Sequence, residues 1–129
     1  MTAWTNDELS RVGDAEELQI ASARRDGTLG RSRTIWVVPY SGSLYVRSVN
    51  GPSAAWFRGT QVRHEGRIRA GGVDRDVAFA EADHGLDDEI DAAYRGKYRR
   101  YARSITDSIT SPAARSTTIQ LLPRQHEPR

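Results

Sequence analysis

The stretch RTIWVVPYSGSLYVRSVNGPSAAWFRG, residues 33–59, decides the fold. Two runs rich in β-branched and aromatic residues, about 34–38 and 43–49, are joined by Ser41-Gly42. Residues of these types favour strands, and a short connection containing glycine favours a tight turn between them. The stretch therefore predicts a β-hairpin over residues 34–49.

The second strand of this hairpin has a two-residue period. Leu44 and Val46 point to one face, and Tyr45 and Arg47 point to the other. Asn50-Gly51-Pro52 then breaks the strand, because proline has no N–H to donate to a ladder.

The end of the stretch predicts a short aromatic helix. Ser53 has the residue type of an N-cap, and the helix runs from Ala54 to Gly59 through Trp56. One stretch thus combines two strands, a turn and a helix start.

Outward from this stretch, the chain continues in short elements. Thr5 and Glu8 have the spacing of a capping box, which predicts a helix ending near Gly13. Alternation predicts a strand over about 17–23, and the polar residues 24–32 predict a loop.

The second half predicts another hairpin, then helices and a last strand. Gly71-Gly72 joins strands at 66–70 and 73–81, because a glycine pair accepts the positive φ angles of a hairpin turn. The later elements are a helix capped by Asp87, a helix over about 102–109, a strand over 117–122 and a tail over 123–129. This order lacks the βαβ alternation of a parallel sheet, so it predicts a mainly β fold, a small antiparallel barrel with peripheral helices, in one domain over 1–122.

Composition excludes several classes. The 129 residues are 37% hydrophobic and 28% charged with a net charge of +2, which is typical of a globular domain. The N-terminus has no signal-peptide pattern and no apolar run is long enough to span a membrane, so we expect a cytoplasmic protein. With no cysteine, disulfides and thiolate chemistry are excluded.

Metal and nucleic-acid sites are poorly supported by spacing. His64, His84 and His126 lie far apart with no metal-ligand spacing, so no metal site is predicted. The basic and aromatic segment 94–103 has the composition of a nucleic-acid patch. However, its tyrosines continue a helical apolar stripe from Ile90 to Ile105, which favours a solvated outer face for the arginines.

The polar side of the opening stretch favours an anionic ligand. Small polar residues gather where a strand gives way to a helix start, and free backbone N–H groups at such a position bind anions. Arg33, Arg47 and Arg58 bracket the same turn and can bind phosphate through two N–H groups.

Several segments together resemble a bacterial family, domain-of-unknown-function family 2255. They are TIWVV (34–38), LYVRSVNG (44–51), AAWFRGTQ (54–61), HEGRIRAGG (64–72), IDAAYRGKYRRYA (90–102) and SITSP (108–112). The family is similar to the flavin-binding split β-barrels, which include pyridoxamine-phosphate oxidases and deazaflavin-dependent nitroreductases. The resemblance implies a split β-barrel of six or seven strands, an FMN or deazaflavin cofactor, a small-molecule substrate and a homodimer with the cofactor at its interface.

The resemblance also assigns residues. The oxidase strand that opens with a phosphate-binding arginine is similar to 33–37, and the following strand end is similar to 48–50 with Ser53. Where the oxidases continue with two basic residues, this chain has Ala54-Ala55. Together, pattern and resemblance assign ten residues to the cofactor: Arg33, Thr34, Ile35, Arg47, Ser48, Val49, Asn50, Ser53, Trp56 and Arg58.

Three functions remain open. The first is a flavin- or deazaflavin-dependent oxidoreductase in which Trp56 lines the ring pocket. The second is a barrel without redox chemistry that binds another small anionic ligand or acts as a structural dimer, and Ala54-Ala55 favours it. The third is a nucleic-acid module. Tyr45 and His64 are the candidate proton donors, and neither is assigned a catalytic role.

Overall fold

The computed structural model describes residues 3–124, in which seven strands form one antiparallel sheet. The strands are β1 (Leu18–Ser22), β2 (Arg33–Ile35), β3 (Val37–Tyr40), β4 (Ser43–Val46), β5 (Glu65–Ala70), β6 (Val73–Glu81) and β7 (Ile119–Pro123). Their order across the sheet is β2-β1-β5-β6-β7-β4-β3. The predicted antiparallel barrel is confirmed, and it is nearly closed.

The two edges of the sheet are consecutive in the chain. Only Trp36 separates β2 from β3, yet β2 pairs with β1 and β3 pairs with β4. The prediction of one strand over 34–38 was therefore wrong. Trp36 leaves the ladder and stacks on Tyr98, with ring centroids 3.8 Å apart and an interplanar angle of 3°. Pro39 lies within β3, which tolerates it because β3 is an edge strand.

Both predicted hairpin turns are present. Ser41 and Gly42 have φ angles of 49° and 79°, and the β3–β4 pairing runs from Tyr40 opposite Ser43 to Val37 opposite Val46. The second turn joins β5 to β6 through the glycine pair at 71–72. Each turn places its strands in the register that buries their apolar residues.

The core has two parts, on the two faces of the sheet. The barrel interior holds Leu44 and Val46, whereas the outer face of the same strand places Tyr45 against Ile90 and Tyr94. The predicted alternation along β4 is therefore present, but both faces are buried because a helix covers the outside.

Within residues 3–124, five helices surround the sheet: α1 (Asn6–Asp14), α2 (Ala55–Arg63), α3 (Asp87–Lys97), α4 (Arg103–Ile109) and α5 (Pro112–Arg115). The capping box of α1 is confirmed: Glu8 N–H donates to Thr5 Oγ1, and Thr5 N–H donates to Glu8 Oε1, each at 3.0 Å. No helix of the described part is long and apolar enough to cross a bilayer.

Three boundary predictions need correction. Ser53 lies in a short 3-10 turn and Ala54 is the N-cap of α2, so Ser53 does not cap that helix. Asp87 is the first residue of α3, and Asp83 caps the 3-10 turn before it. Pro123 belongs to β7, where it pairs with Val77, so the predicted tail begins too early. Residues 125–129, including His126, lie outside the described residues.

The tyrosines of segment 94–103 mostly face inward. Tyr94 and Tyr98 are buried in the outer core, as the helical stripe predicts. Ile105 departs from that prediction: it lies in α4, a separate helix that begins at Arg103, and its side chain is 44% exposed.

Candidate functional site

A cavity of about 340 Å³ lies where the edge strand β2, the end of β4, the start of α2 and α4 meet. We call it the central cavity. It is lined by Arg33, Thr34, Ile35, Trp36, Arg47, Val49, Asn50, Trp56, Ile105, Ser108 and Ile109. The sheet topology forms it: β2 leaves the ladder at Trp36, and the chain beyond β4 approaches the same edge.

Seven of the ten residues predicted to bind a cofactor line the central cavity. They are Arg33, Thr34, Ile35, Arg47, Val49, Asn50 and Trp56. The predicted set is thus largely brought together in space, although whether these residues bind a cofactor stays a prediction.

Ser48, Ser53 and Arg58 lie elsewhere. Ser48 is buried, and its N–H donates to Thr117 Oγ1 at 2.8 Å. Ser53 is exposed in the 3-10 turn, where its hydroxyl donates to Asn50 O at 3.4 Å. Arg58 is exposed on α2 and lines neither this cavity nor its neighbour.

Arg47 reaches the cavity wall with its guanidinium already occupied. The side chain is 0% exposed and forms an ion pair with Asp91. Its Nε donates to Thr118 Oγ1 at 2.8 Å, and its terminal nitrogens donate to Ile109 O and Asp87 O, both at 3.2 Å. These bonds use most of its five donors, so Arg47 holds α3 and the end of α4 against the barrel rather than offering a free phosphate clamp.

The aromatic wall of the central cavity is held rigidly from behind. Trp36 stacks on Tyr98 and contacts Tyr101 at 5.1 Å between ring centroids. Tyr98 donates its hydroxyl to Glu16 O at 2.9 Å, and burial raises the pKa of this hydroxyl. Trp36 therefore presents a fixed aromatic surface to any planar ligand.

Four lining residues were not among those that the sequence assigned to the site. Trp36 lies within a predicted strand, and Ile105, Ser108 and Ile109 come from α4, far along the chain. The helical apolar stripe from Ile90 to Ile105 predicts a buried Ile105, and it does not predict that α4 lines a cavity beside β2.

A second cavity of about 220 Å³ adjoins the first, and we call it the arginine cavity. It is lined by Ile20, Ser22, Ala23, Arg24, Gly30, Arg31, Arg33, Ala55, Trp56, Gly59 and Val62. Arg33 and Trp56 line both cavities. Three arginines and no carboxylate of the described residues line the arginine cavity, so its electrostatic potential favours an anion.

The candidate proton donors lie outside the central cavity. Tyr45 is buried beneath α3, and burial raises the pKa of its hydroxyl. His64 is exposed at the end of α2 with φ 56°. Within residues 3–124, no group of three or more His, Cys, Asp or Glu side chains is placed to hold a metal ion.

Together, the nearly closed seven-stranded barrel and its open edge define the fold class, a small antiparallel split β-barrel. Three similar solved structures are the haem storage protein HutZ from Vibrio cholerae, a provisionally named pyridoxamine 5′-phosphate oxidase from Listeria innocua, and an F420 reductase. HutZ has a TM-score of 0.67 and 14% identity over 97% of this chain and 93% of that chain. The Listeria protein has a TM-score of 0.64 and 13% identity over 93% of both chains. The reductase has a TM-score of 0.58 and 12% identity over 91% of this chain and 93% of that chain.

Residues 8–121 match the family of uncharacterised proteins conserved in bacteria, DUF2255, and the chain belongs to this family. No curated protein matches the chain. The resemblance noted from the sequence is thereby confirmed, and at these low identities the structural likeness concerns the fold.

Proposed function

We propose that this protein is a flavin- or deazaflavin-binding oxidoreductase whose central cavity holds the cofactor ring system. One observation carries the proposal: the cavity joins an aromatic and aliphatic wall to a small set of polar groups. Trp36, Trp56 and Ile35 lie on the apolar side, while Thr34 and Asn50 supply hydrogen-bonding groups. Ligand sites for planar cofactors have this composition.

The cofactor would supply hydride transfer, and the protein would supply binding, orientation and exclusion of water. The rigid ring of Trp36 would fix the plane of the cofactor ring system, and Trp56 would line the boundary between that ring system and the arginine cavity. Among the three structures described above, the reductase is named for F420 and the Listeria protein for pyridoxamine 5′-phosphate oxidation, which supports this class of cofactor.

A second candidate function is non-redox binding of another small anionic ligand. The observation that favours it is Ala54-Ala55, which stands where related oxidases keep two basic residues. A nucleic-acid function is disfavoured because Tyr94 and Tyr98 are buried and cannot stack on bases. In addition, Arg95 pairs with Asp107 at 3.0 Å.

The test is a fluorescence titration of the purified protein with FMN, FAD and coenzyme F420, accompanied by its visible absorbance spectrum. We expect one of these cofactors to bind and Arg33→Gln to weaken it about tenfold, because charge-assisted hydrogen bonds contribute about 1.5–3 kcal/mol. Arg58→Gln is the matched control, since this exposed arginine lines neither cavity. Failure of all three cofactors to bind would overturn the proposed function.

A further inference from the structure

The arginine cavity takes its positive charge from the β1–β2 loop and the start of β2, which contribute its three lining arginines. Ala55, one of the two alanines that stand where the oxidases have basic residues, also lines this cavity. Neither Arg47 nor Arg58, two other arginines assigned to the cofactor from the sequence, supplies charge to this cavity, because Arg47 is paired inside the protein and Arg58 does not line the cavity. The loop between β1 and β2 contributes Arg24 and Arg31 to the lining of the same cavity.

That loop is ordered by its own hydrogen bonds. Arg24 N–H donates to Thr28 O at 2.7 Å, and Gly30 N–H donates to Ser22 O at 2.8 Å. The hydroxyl of Thr28 donates to Asp26 at 2.7 Å, and this bond is the main cause that lowers the pKa of the Asp26 carboxyl. The loop carboxylate is therefore engaged within the loop.

The arginines differ in how much of their charge is free. Arg24 donates to Leu29 O at 3.0 Å, so part of its guanidinium closes the loop. Arg31 and Arg33 form no ion pair with any residue of the described part of the chain. An uncompensated pair of guanidinium groups beside a concave surface attracts a multiply charged oxyanion.

The shape of the arginine cavity limits the ligand further. Gly30 and Gly59 line it without side chains, so a ligand can approach the backbone at both positions. Arg33 and Trp56 line both cavities, so a phosphate group in the arginine cavity would lie next to a ring system in the central cavity.

We propose that the arginine cavity binds the phosphate ester of the ligand whose ring lies in the central cavity, and that Arg31 and Arg24 replace the two basic residues absent at Ala54-Ala55. This inference rests on the proposed function, and it assigns the β1–β2 loop a role in specificity. The loop selects phosphorylated cofactors over their unphosphorylated forms.

The experiment compares ligand pairs that differ by the phosphate-bearing group: FMN with riboflavin, and coenzyme F420 with its phosphate-free deazaflavin chromophore. Affinities are measured by fluorescence for the wild type and for Arg31→Gln. We expect the phosphorylated member to bind more tightly to the wild type, and Arg31→Gln to weaken it about tenfold. The unphosphorylated member should bind both proteins equally. Raising the salt concentration should reduce only the preference for phosphate.

Arg99→Gln is the matched control, because it removes the same charge from an exposed position just beyond α3. Arg31 is tested before Arg24 because the Arg24 side chain also holds the loop. If the wild type bound a cofactor and its phosphate-free counterpart with equal affinity, the inference would be overturned and the proposed function would remain intact.

A second probe separates the two proposals if no flavin binds. Inorganic pyrophosphate is titrated calorimetrically into the wild type, Arg31→Gln and Arg99→Gln. Binding that only Arg31→Gln abolishes would support the anion site although the proposed function had failed. No binding of pyrophosphate and no binding of flavins would overturn both.

Discussion

Arg47 places a guanidinium where no solvent reaches it, and the surrounding oxygens stabilise its charge. Replacing it with methionine would leave Thr118 Oγ1 and the Ile109 carbonyl without their buried donor and Asp91 with only Arg115, so we expect Arg47→Met to lower the free energy of unfolding by about 3–5 kcal/mol. Urea denaturation measures this loss. Arg95→Met is the control: its exposed ion pair with Asp107 contributes about 0–1 kcal/mol. Similar losses for both variants would contradict the structural role of Arg47.

Two arginines of residues 33–59 illustrate what the sequence can predict about a single residue. Arg33 and Arg47 have the same chemistry and both lie near a strand end, so sequence assigned them the same role. Their difference comes from Thr118, Asp91 and the carbonyl of Ile109, which are distant in sequence. Residue type predicts which interactions a side chain can make, and only the packed fold decides which partners it meets.

Two glycines make a matched test of the elements that carry the site. Gly59 lies inside α2, where an added Cβ would meet Ser22 Cβ at an ordinary 3.5 Å. We expect Gly59→Ala to raise the free energy of unfolding by about 0.5–1 kcal/mol, because alanine is the better helix former. Gly66 lies in β5, where an added Cβ would come within 2.1 Å of Ala21 O.

Gly66→Ala should therefore destabilise the protein by at least about 1–3 kcal/mol, because the β1 and β5 backbones would have to separate. Thermal and urea unfolding of both variants measure the effects. If both substitutions changed the free energy of unfolding in the same direction, either the close contact at Gly66 or the ordinary contact at Gly59 would be contradicted.

At the scale of elements, local signals predicted both hairpins and the capping box of α1. Each of these depends on a few adjacent residues, such as the glycine pair at 71–72. The neighbours of β7, which pairs with β4 and β6, depend on contacts between distant parts of the chain. No periodicity within a strand encodes such pairing. The end of β2 at Trp36 also depends on a distant contact, because the ring of Trp36 stacks on Tyr98 at the end of α3.

For the whole molecule, Lys97 couples the outer helix to the barrel edge and makes stability depend on pH. Its Nζ donates to Val37 O at 2.6 Å, and burial lowers the pKa of this amine from 10.5 to about 8. Between these two pH values the unfolded chain binds the proton that the folded protein has released. The free energy of unfolding attributable to Lys97 therefore rises with pH from about 8 to 10.5.

Lys97→Met should remove that rise, which urea denaturation across this pH window measures against the wild type. Tyr98 acts in the opposite direction above its ordinary pKa of 10.0, because its raised pKa keeps the proton on the folded protein. The comparison between wild type and variant isolates the lysine. An identical pH dependence in both proteins would contradict the burial of its charge.

The exposed apolar residues at the central cavity lead to a prediction about assembly. Val49 and Ile105 are 49% and 44% exposed, and both line this cavity. We propose that a second copy of the chain covers this face, as the resemblance to split β-barrels implies. Light scattering after size-exclusion chromatography should then give the mass of a dimer.

Ile105→Asp should shift the protein to monomer and weaken cofactor binding together, because burying a carboxylate in the interface is costly and the cavity would lose one wall. Leu29→Asp is the control: Leu29 is also 44% exposed but lies in the β1–β2 loop and does not line the central cavity. The Leu29→Asp variant should remain a dimer. A monomeric wild type would contradict the assembly, and a monomeric Ile105→Asp with unchanged cofactor affinity would show that one chain completes the site.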